Sequence, residues 1–338
     1  MLEVVNITHS YQTSGDRRVV DGVNLEVGEQ EIVALVGESG CGKTTLGRIV
    51  AGVTRPTSGV IRFNGEDIWS LRGRSWKAWR RAVQLIHQDP FGALNPSLTI
   101  ESTLGAALLH HKMATRRNLE DELFHLLSMV GLDPTRDFLR RYPHQLSGGQ
   151  RQRVTIARAV SLHPSLVVAD EVTSMLDVSM RVAVLDLLLG LGVQRGIAYV
   201  FISHDLGVVR YFAAGGRVVV MFYGVVVEEG PTEEIIFHPR HPYSYLLLEA
   251  VPIPDPSLAE ERMDIARVGM LEGEPSHEGC VFCNRCPFAE ARCHRERPAL
   301  EGEQGGHRVA CFFSERVPMA SHVRAAHIVD ESEPAIAG

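Results

Sequence analysis

The sequence predicts an α/β protein with a largely parallel sheet and an added antiparallel part, and three observations carry the prediction. Short apolar runs ("EIVALVG", "SLVVAD", "IAYVFISH") read as buried strands. Apolar residues at three- and four-residue spacing between them read as helices. The glycine-rich stretch "GESGCGKT", Gly37–Thr44, joins the first run to a helix.

In chain order, residues 1–35 read as strands: "EVVNITHSY" alternates, "VVDGVNLEV" is expected to turn at Asp21-Gly22, and "EIVALVG" is buried. "GVIRFNGEDI" predicts a hairpin with a type I′ turn at Asn64-Gly65. From about Pro96 to Pro143 the period is helical. Gly149 to Leu162 predicts a helix that ends at His163-Pro164. Asp177 is expected to cap a helix running to about Gln194 and closed by Gly196. "GRVVVMFYGVVVEEG" reads as a hairpin. After His241-Pro242-Tyr243 the composition changes to a proline-rich linker, "AVPIPDPSLAEER", then a cysteine cluster, then a polar tail from about Arg316.

The 338 residues carry a formal net charge of -7 with 45% hydrophobic content, ordinary for a globular protein. The mild acidity gives no support to a nucleic-acid partner. No apolar run approaches the ~18 residues of a membrane span. "MLEVVNITHSY" lacks a basic segment followed by an apolar one, so no secretory leader is expected and the cytoplasm is the default compartment. Five of the six cysteines fall between Cys280 and Cys311, which in that compartment points to a metal or cluster before disulfides.

"GESGCGKT" fits the phosphate-binding loop G-x-x-x-x-G-K-[ST] in full, between an apolar strand and a helix. Gly37, Ser39, Gly40, Gly42, Lys43, Thr44 and Thr45 are therefore nucleotide-binding candidates. Lys43 would meet the β- and γ-phosphates and Thr44 would offer its hydroxyl to Mg²⁺. "LVVADE" ends a buried strand in two acids: Asp170 as an Mg²⁺ holder and Glu171 as general base for the attacking water. His204, ending "FISH", could contact the γ-phosphate or that water. A second anion cradle, "LSGGQ" at Leu146–Gln150, stands about a hundred residues later, where Ser147, Gly148, Gly149 and Gln150 open a helix.

In this order, Gly37–Thr44, "LSGGQ", "VVADE", "SMLD" at Ser174–Asp177 and His204 resemble the ATP-binding-cassette ATPases over about residues 1–240. The resemblance implies a P-loop NTPase cassette with a RecA-like core, an antiparallel β part and a helical subdomain at about 92–162. It also implies why one chain has two cradles. Cassettes pair head to tail, and the Ser-Gly-Gly loop of one closes on the γ-phosphate held by the other. By the same resemblance Tyr11 stacks on adenine, Gln88 in "HQDPFGALNP" touches Mg²⁺ and water, and Asp177 lies at the dimer interface.

"QDPFGALNPSLTI", "HPRHPYSYLLLEAVP" and "GCVFCNRCPFAEARCHRERPAL…HRVAC" resemble the oligopeptide/dipeptide/nickel importer ATPases, especially their F-type subunit. Residues 241–338 then form a C-terminal extension with its cysteines at 280–311. Cys280, Cys286, Cys293 and Cys311 match the usual four positions, which in related D-type subunits hold an iron–sulfur cluster; Zn²⁺ is the alternative, and Cys283 is an extra thiol. The sequence departs from the family at Val172, where Pro is usual, and at Met175, where Ala is usual. Neither change removes a catalytic group.

The implied function is an ATP-hydrolysing importer motor on the cytoplasmic face of the cell membrane. Its implied partners are a second cassette (a D-type paralogue, otherwise a second copy), two membrane permease subunits and, indirectly, an external solute-binding protein. The alternative is a regulatory or weakly catalytic cassette beside an active partner. A cassette for translation or DNA repair is disfavoured by the single cassette and the absence of heptads, and a simple P-loop kinase by the second cradle.

Overall fold

The strongest order in the chain comes from strands whose residues are apolar at every position, because only a site covered on both faces can hold them. In the computed structural model, residues 1–11, 18–250, 274–276, 278–302 and 306–319 are described. The strands are β1 (Leu2–Ser10), β2 (Arg18–Val27), β3 (Ile32–Val36), β4 (Ser58–Phe63), β5 (Glu66–Asp67), β6 (Val83–Ile86), β7 (Leu166–Asp170), β8 (Ala198–Ile202), β9 (Arg217–Phe222), β10 (Val225–Pro231) and β11 (Arg308–Val309). The helices are α1 (Lys43–Val50), α2 (Gly73–Ala82), α3 (Pro90–Ala93), α4 (Ile100–His110), α5 (Leu119–Met129), α6 (Arg136–Leu139), α7 (Gly148–Val160), α8 (Val178–Arg195), α9 (Leu206–Phe212), α10 (Thr232–Phe237) and α11 (Pro242–Glu249).

Two sheets form. One is antiparallel, in the order β2-β1-β4-β5; the other is mixed, in the order β11-β10-β9-β3-β8-β7-β6. Its core, β9-β3-β8-β7-β6, is parallel. The C-terminal ends of β3, β8, β7 and β6 therefore lie side by side at one rim, the place where open α/β sheets bind ligands. One apolar cluster joins the sheet to α4, α5, α7 and α8, and a second joins α1 to the antiparallel sheet.

The Asn64-Gly65 turn is present, with both residues at positive φ (52 and 84), as a type I′ turn requires. Tyr223-Gly224 makes a second turn of the same kind between β9 and β10. The expected turn at Asp21-Gly22 is not one. β2 runs through it, and Gly22 at φ 67 absorbs a register shift against β1 as a bulge. The Asp-Gly pair serves either role, and pairing on both sides decided for the bulge.

Helix α7 starts one residue before the expected position. Asp177 caps α8, and Gly196 closes it in the left-handed conformation. Short elements such as β6, at four residues, and β11, at two, carry too little pattern to be read from sequence.

Beyond residue 241 the described residues include several packed against the rest of the chain. Tyr243, Tyr245 and Leu248 of α11 are buried, Phe282 joins the main core, and β11 extends the main sheet at β10. The proline-rich stretch from 251 and the polar tail from 320 lie outside the described residues.

Candidate active site and cysteine pocket

The loop Gly37–Gly42 leaves β3 and enters α1. Gly37 (φ 146) and Gly42 (φ 107) are fixed by neighbours. A β-carbon would lie 2.2 Å from the carbonyl oxygen of Met221 at the first and 2.4 Å from that of Val19 at the second. These glycines let the loop nest against the protein's own backbone. Only Gly40 (φ 79) has open space beside it.

Lys43 is buried, and its Nζ donates to the carbonyl oxygens of Gly37 (2.7 Å) and Glu38 (2.8 Å). Its charge is thus held over the loop. Thr44 Oγ1, in the first turn of α1, donates to Asp170 Oδ1, at the end of β7, at 3.0 Å. Burial raises the Asp170 pKa, the Thr44 hydrogen bond opposing it. A buried carboxylate beside a hydroxyl is a hard-oxygen donor pair, and Mg²⁺ fits it. Tyr11 Oη lies 3.3 Å from Thr45 Oγ1, at the loop's flank.

The rim brings together three residues distant in sequence. Gln88, just after β6, donates Nε2 to Glu171 Oε2 at 2.7 Å, and His204, just after β8, places Nδ1 3.2 Å from Glu171 Oε1. Glu171 sits at φ 44, a left-handed conformation unusual for a non-glycine residue. Its N–H donates to the Ile202 carbonyl, and its own carbonyl accepts from Ser174 N and Oγ. Those three bonds hold the backbone against its preference, and both carboxylate oxygens are aimed at side chains.

The second cradle is built otherwise. Ser147 Oγ accepts from Gln150 N (3.3 Å), and Gln150 Oε1 accepts from Ser147 N (3.1 Å), a reciprocal capping box at the start of α7. Gly148 has open space beside it, while a β-carbon on Gly149 would collide with Met180. No described hydrogen bond or ion pair links Ser147–Gln150 to Gly37–Thr45. Asp177 spends its carboxylate on Met180 N (2.9 Å) and Ser179 Oγ (2.7 Å), and these bonds lower its pKa. Met175 is 56% exposed, whereas Val172 is buried at 2%.

Sequence reasoning missed three residues at the phosphate loop. Tyr243 accepts the Glu38 N–H on its hydroxyl (2.7 Å), and Arg285 grips the Glu38 carboxylate with both terminal nitrogens (2.9 and 2.7 Å). Glu38 lies inside the motif as an unspecified position. Its partners stand 205 and 247 residues away, so no local signal could have joined them.

Five cysteines, Cys280, Cys283, Cys286, Cys293 and Cys311, line one hollow together with His241, Phe282, Phe288 and Phe313. All five are free thiols. Burial pushes Cys280 up to about 11 and Cys286 up to about 12, and it raises Cys311. Of these three, Cys311 accepts a backbone N–H, that of Phe313 at 3.4 Å. Cys283 differs: its sulfur lies 3.4 Å from His294 Nδ1 and 3.5 Å from Asn284 Oδ1. His241 Nδ1 accepts the Tyr243 N–H, so the neutral ring carries its proton on Nε2, which is buried without a hydrogen-bond partner. Burial lowers this histidine to about 4. A hollow walled by thiols and an unspent N–H donor fits a thiolate-bound metal group. Among the described residues no three or more His, Cys, Asp or Glu side chains are drawn together as a site for a single ion.

Comparison with known proteins decides the family. The family described as ABC transporter matches residues 20–174, and that described as oligopeptide/dipeptide transporter, C-terminal region, matches residues 227–293. A probable peptide ABC transporter ATP-binding protein of Sinorhizobium fredii is 43% identical over 316 residues, covering 92% of this chain and 85% of its own. The oligopeptide transport ATP-binding protein OppF of Salmonella typhimurium is 41% identical over 301 residues, covering 87% of each chain. The chain belongs to the ATP-binding proteins of the oligopeptide/peptide ABC transporters. Among solved structures, a dimeric ATP-binding cassette in a post-hydrolysis state with ADP and Pi matches with a TM-score of 0.61 at 28% identity, over 69% of this chain and 99% of its own. The structure of cbiO1 from Clostridium perfringens, part of the ABC transporter complex cbiONQ, matches with a TM-score of 0.59 at 25% identity, over 69% of this chain and 89% of its own. This ABC ATPase has no helix, among the described residues, long and apolar enough to cross a membrane.

Proposed function

We propose that this ABC ATPase is the motor subunit of a peptide importer, hydrolysing ATP at a site completed by a second cassette. The observation that carries the reading is the convergence of Gln88 and His204 on the Glu171 carboxylate, at the rim that also holds Lys43, Thr44 and Asp170. This arrangement also favours a catalytic cassette over a regulatory one, since Thr44 with Asp170, and Gln88 and His204 with Glu171, are already hydrogen-bonded to one another.

The chain's residues divide the work. Backbone N–H groups of the loop through Gly37, Ser39, Gly40 and Gly42 receive phosphate oxygens, with Thr45 and Tyr11 at the flank and Lys43 supplying the cation. Thr44 and Asp170, with Gln88 beside them, would hold Mg²⁺, which when bound neutralises charge on the β- and γ-phosphates. Glu171 accepts the proton of the attacking water, while Gln88 and His204 fix its two oxygens. Ser147, Gly148, Gly149 and Gln150 face the γ-phosphate of the partner cassette, and Asp177 lies at that interface. Closure of the dimer on ATP and release after hydrolysis make a ligand-biased switch.

The assembly follows from the same reading: a D-type paralogue or a second copy as the other cassette, two membrane permeases and an external solute-binding protein, with this subunit peripheral on the cytoplasmic face. Residues 1–240 act as the cassette and 241–338 as its extension. Cys280, Cys286, Cys293 and Cys311 would hold an iron–sulfur cluster, with Zn²⁺ as the alternative. Cys283, whose sulfur is already engaged by His294 and Asn284, stands apart from that set.

The test is reconstitution of the complex in vesicles, with peptide uptake and ATP hydrolysis measured together. Uptake that needs ATP and is lost in Glu171→Gln supports the motor; hydrolysis that survives the substitution overturns the catalytic assignment. Anaerobic purification with iron and zinc analysis tests the cysteines: Cys286→Ser should empty the site and Cys283→Ser should leave it filled.

A further inference from the structure

We infer that Arg285 and Tyr243, both outside the nucleotide-binding cassette in sequence, are positioning residues of the phosphate loop, so that the cysteine-bearing extension sets how tightly this subunit holds ATP. The inference rests on the reading of Gly37–Thr44 as the ATP site.

Glu38 is tied at three points. Its N–H donates to Tyr243 Oη at 2.7 Å, its carboxylate takes both terminal nitrogens of Arg285, and its carbonyl receives Lys43 Nζ at 2.8 Å. The last bond matters most for chemistry, because the residue clamped from outside is the one that aims the phosphate-binding ammonium. Arg285 is itself immobilised: its guanidinium lies 5.4 Å from the Phe222 ring and 5.6 Å from the Phe282 ring. Phe222, Phe282 and Tyr243 form one aromatic cluster, with centroids 4.6 to 5.4 Å apart.

The path from the extension is short. Arg285 sits in the turn Cys283–Arg285, immediately before Cys286, and Phe282, just ahead of that turn, lines the thiol hollow. Tyr243 follows His241, whose ring lines the thiol hollow. Any rearrangement of those thiols moves the turn that carries Arg285. A bidentate guanidinium–carboxylate pair has a narrow geometry, so a small displacement breaks it.

The pair is partly exposed, with the Glu38 side chain at 40% and Arg285 at 14%, so its net electrostatic worth is small and its value is geometric. Removing it should weaken ATP binding about three- to tenfold, the scale of one or two hydrogen bonds. It should leave kcat at saturating ATP within about twofold, because no transition-state contact is lost.

The experiment measures ATP affinity of the full chain and KM and kcat of the assembled complex for Arg285→Ala, Arg285→Lys, Glu38→Gln, the Glu38→Gln/Arg285→Ala pair and Tyr243→Phe. Arg297→Ala is the control; it breaks a different contact of the extension, the 2.9 Å bridge to Asp21, which does not involve Glu38. A raised KM in Arg285→Ala, partial recovery in Arg285→Lys, and a double variant no worse than its worse single would support the inference. Equal shifts in Arg285→Ala and Arg297→Ala would overturn it in favour of general docking. Unchanged affinity in Glu38→Gln and Tyr243→Phe, with binding lost in Lys43→Ala, would also overturn it while leaving the ATP site standing. These two milder variants decide the matter even where Arg285→Ala fails to fold. ATP binding retained in Lys43→Ala would instead overturn the reading of the loop itself.

Discussion

Gln88 Nε2 and Glu171 Oε2 meet at 2.7 Å across 83 residues of chain, one from the end of β6 and the other from the end of β7. With His204 on the other oxygen, the carboxylate has a fixed plane before any nucleotide arrives. Glu171→Gln keeps the shape and both neighbours but cannot accept a proton. It should lower ATP hydrolysis by the complex about a hundredfold or more while ATP binding persists. Paired rate and binding measurements check this.

Asp170 should show the cost of a functional carboxylate. Burial raises its pKa, so the folded chain holds the proton more tightly than the unfolded one. The stability this group contributes is lost as pH rises through its raised value. At neutral pH the buried charge therefore opposes folding. Asp170→Asn should raise the melting temperature of the nucleotide-free chain and reduce Mg²⁺-dependent hydrolysis about a hundredfold or more. A melt without nucleotide and an ATPase assay separate the two effects.

Ser147 caps a helix, and the proposed contact with a partner's nucleotide can be told apart from that role. Its hydroxyl caps α7 through Gln150 N at 3.3 Å, so Ser147→Ala should cost about 1 kcal/mol of stability in the isolated chain. The loop's role towards a partner's phosphate predicts a further loss, visible only as ATPase activity of the assembled pair. Ser147→Thr should keep the cap, and comparing its melt with its ATPase rate isolates the second role.

His241 makes stability depend on acidity. Burial lowers its pKa from 6.5 to about 4, with the Glu228 carboxylate opposing the shift. Between those values the unfolded chain binds more protons, so stability rises with pH. It should be lost progressively as pH falls from about 6.5 to 4, by about 3 kcal/mol over the window. His241→Asn keeps an acceptor for the Tyr243 N–H and removes the titration. Denaturant unfolding across that range should show a flatter profile for it.

The sequence by itself determined the phosphate loop, the acidic strand end, the signature before α7 and the hairpins at Asn64-Gly65 and Tyr223-Gly224. Each is a local requirement: a glycine at positive φ, a cap within three residues, or an apolar run ended by acids. It also held the alternation of strands and helices, because that pattern repeats on the scale of single elements. Tertiary structure decided the rest. Asp21-Gly22 became a bulge because both flanks found pairing partners on β1. Gln88, Glu171 and His204 became one site because β6, β7 and β8 are neighbours in the sheet, an order that no spacing along the chain encodes. Glu38, Tyr243 and Arg285 meet because α11 and the turn Cys283–Arg285 pack beside the phosphate loop. A hydrogen bond acts over about 3 Å of space and is blind to the 247 residues of chain between its ends.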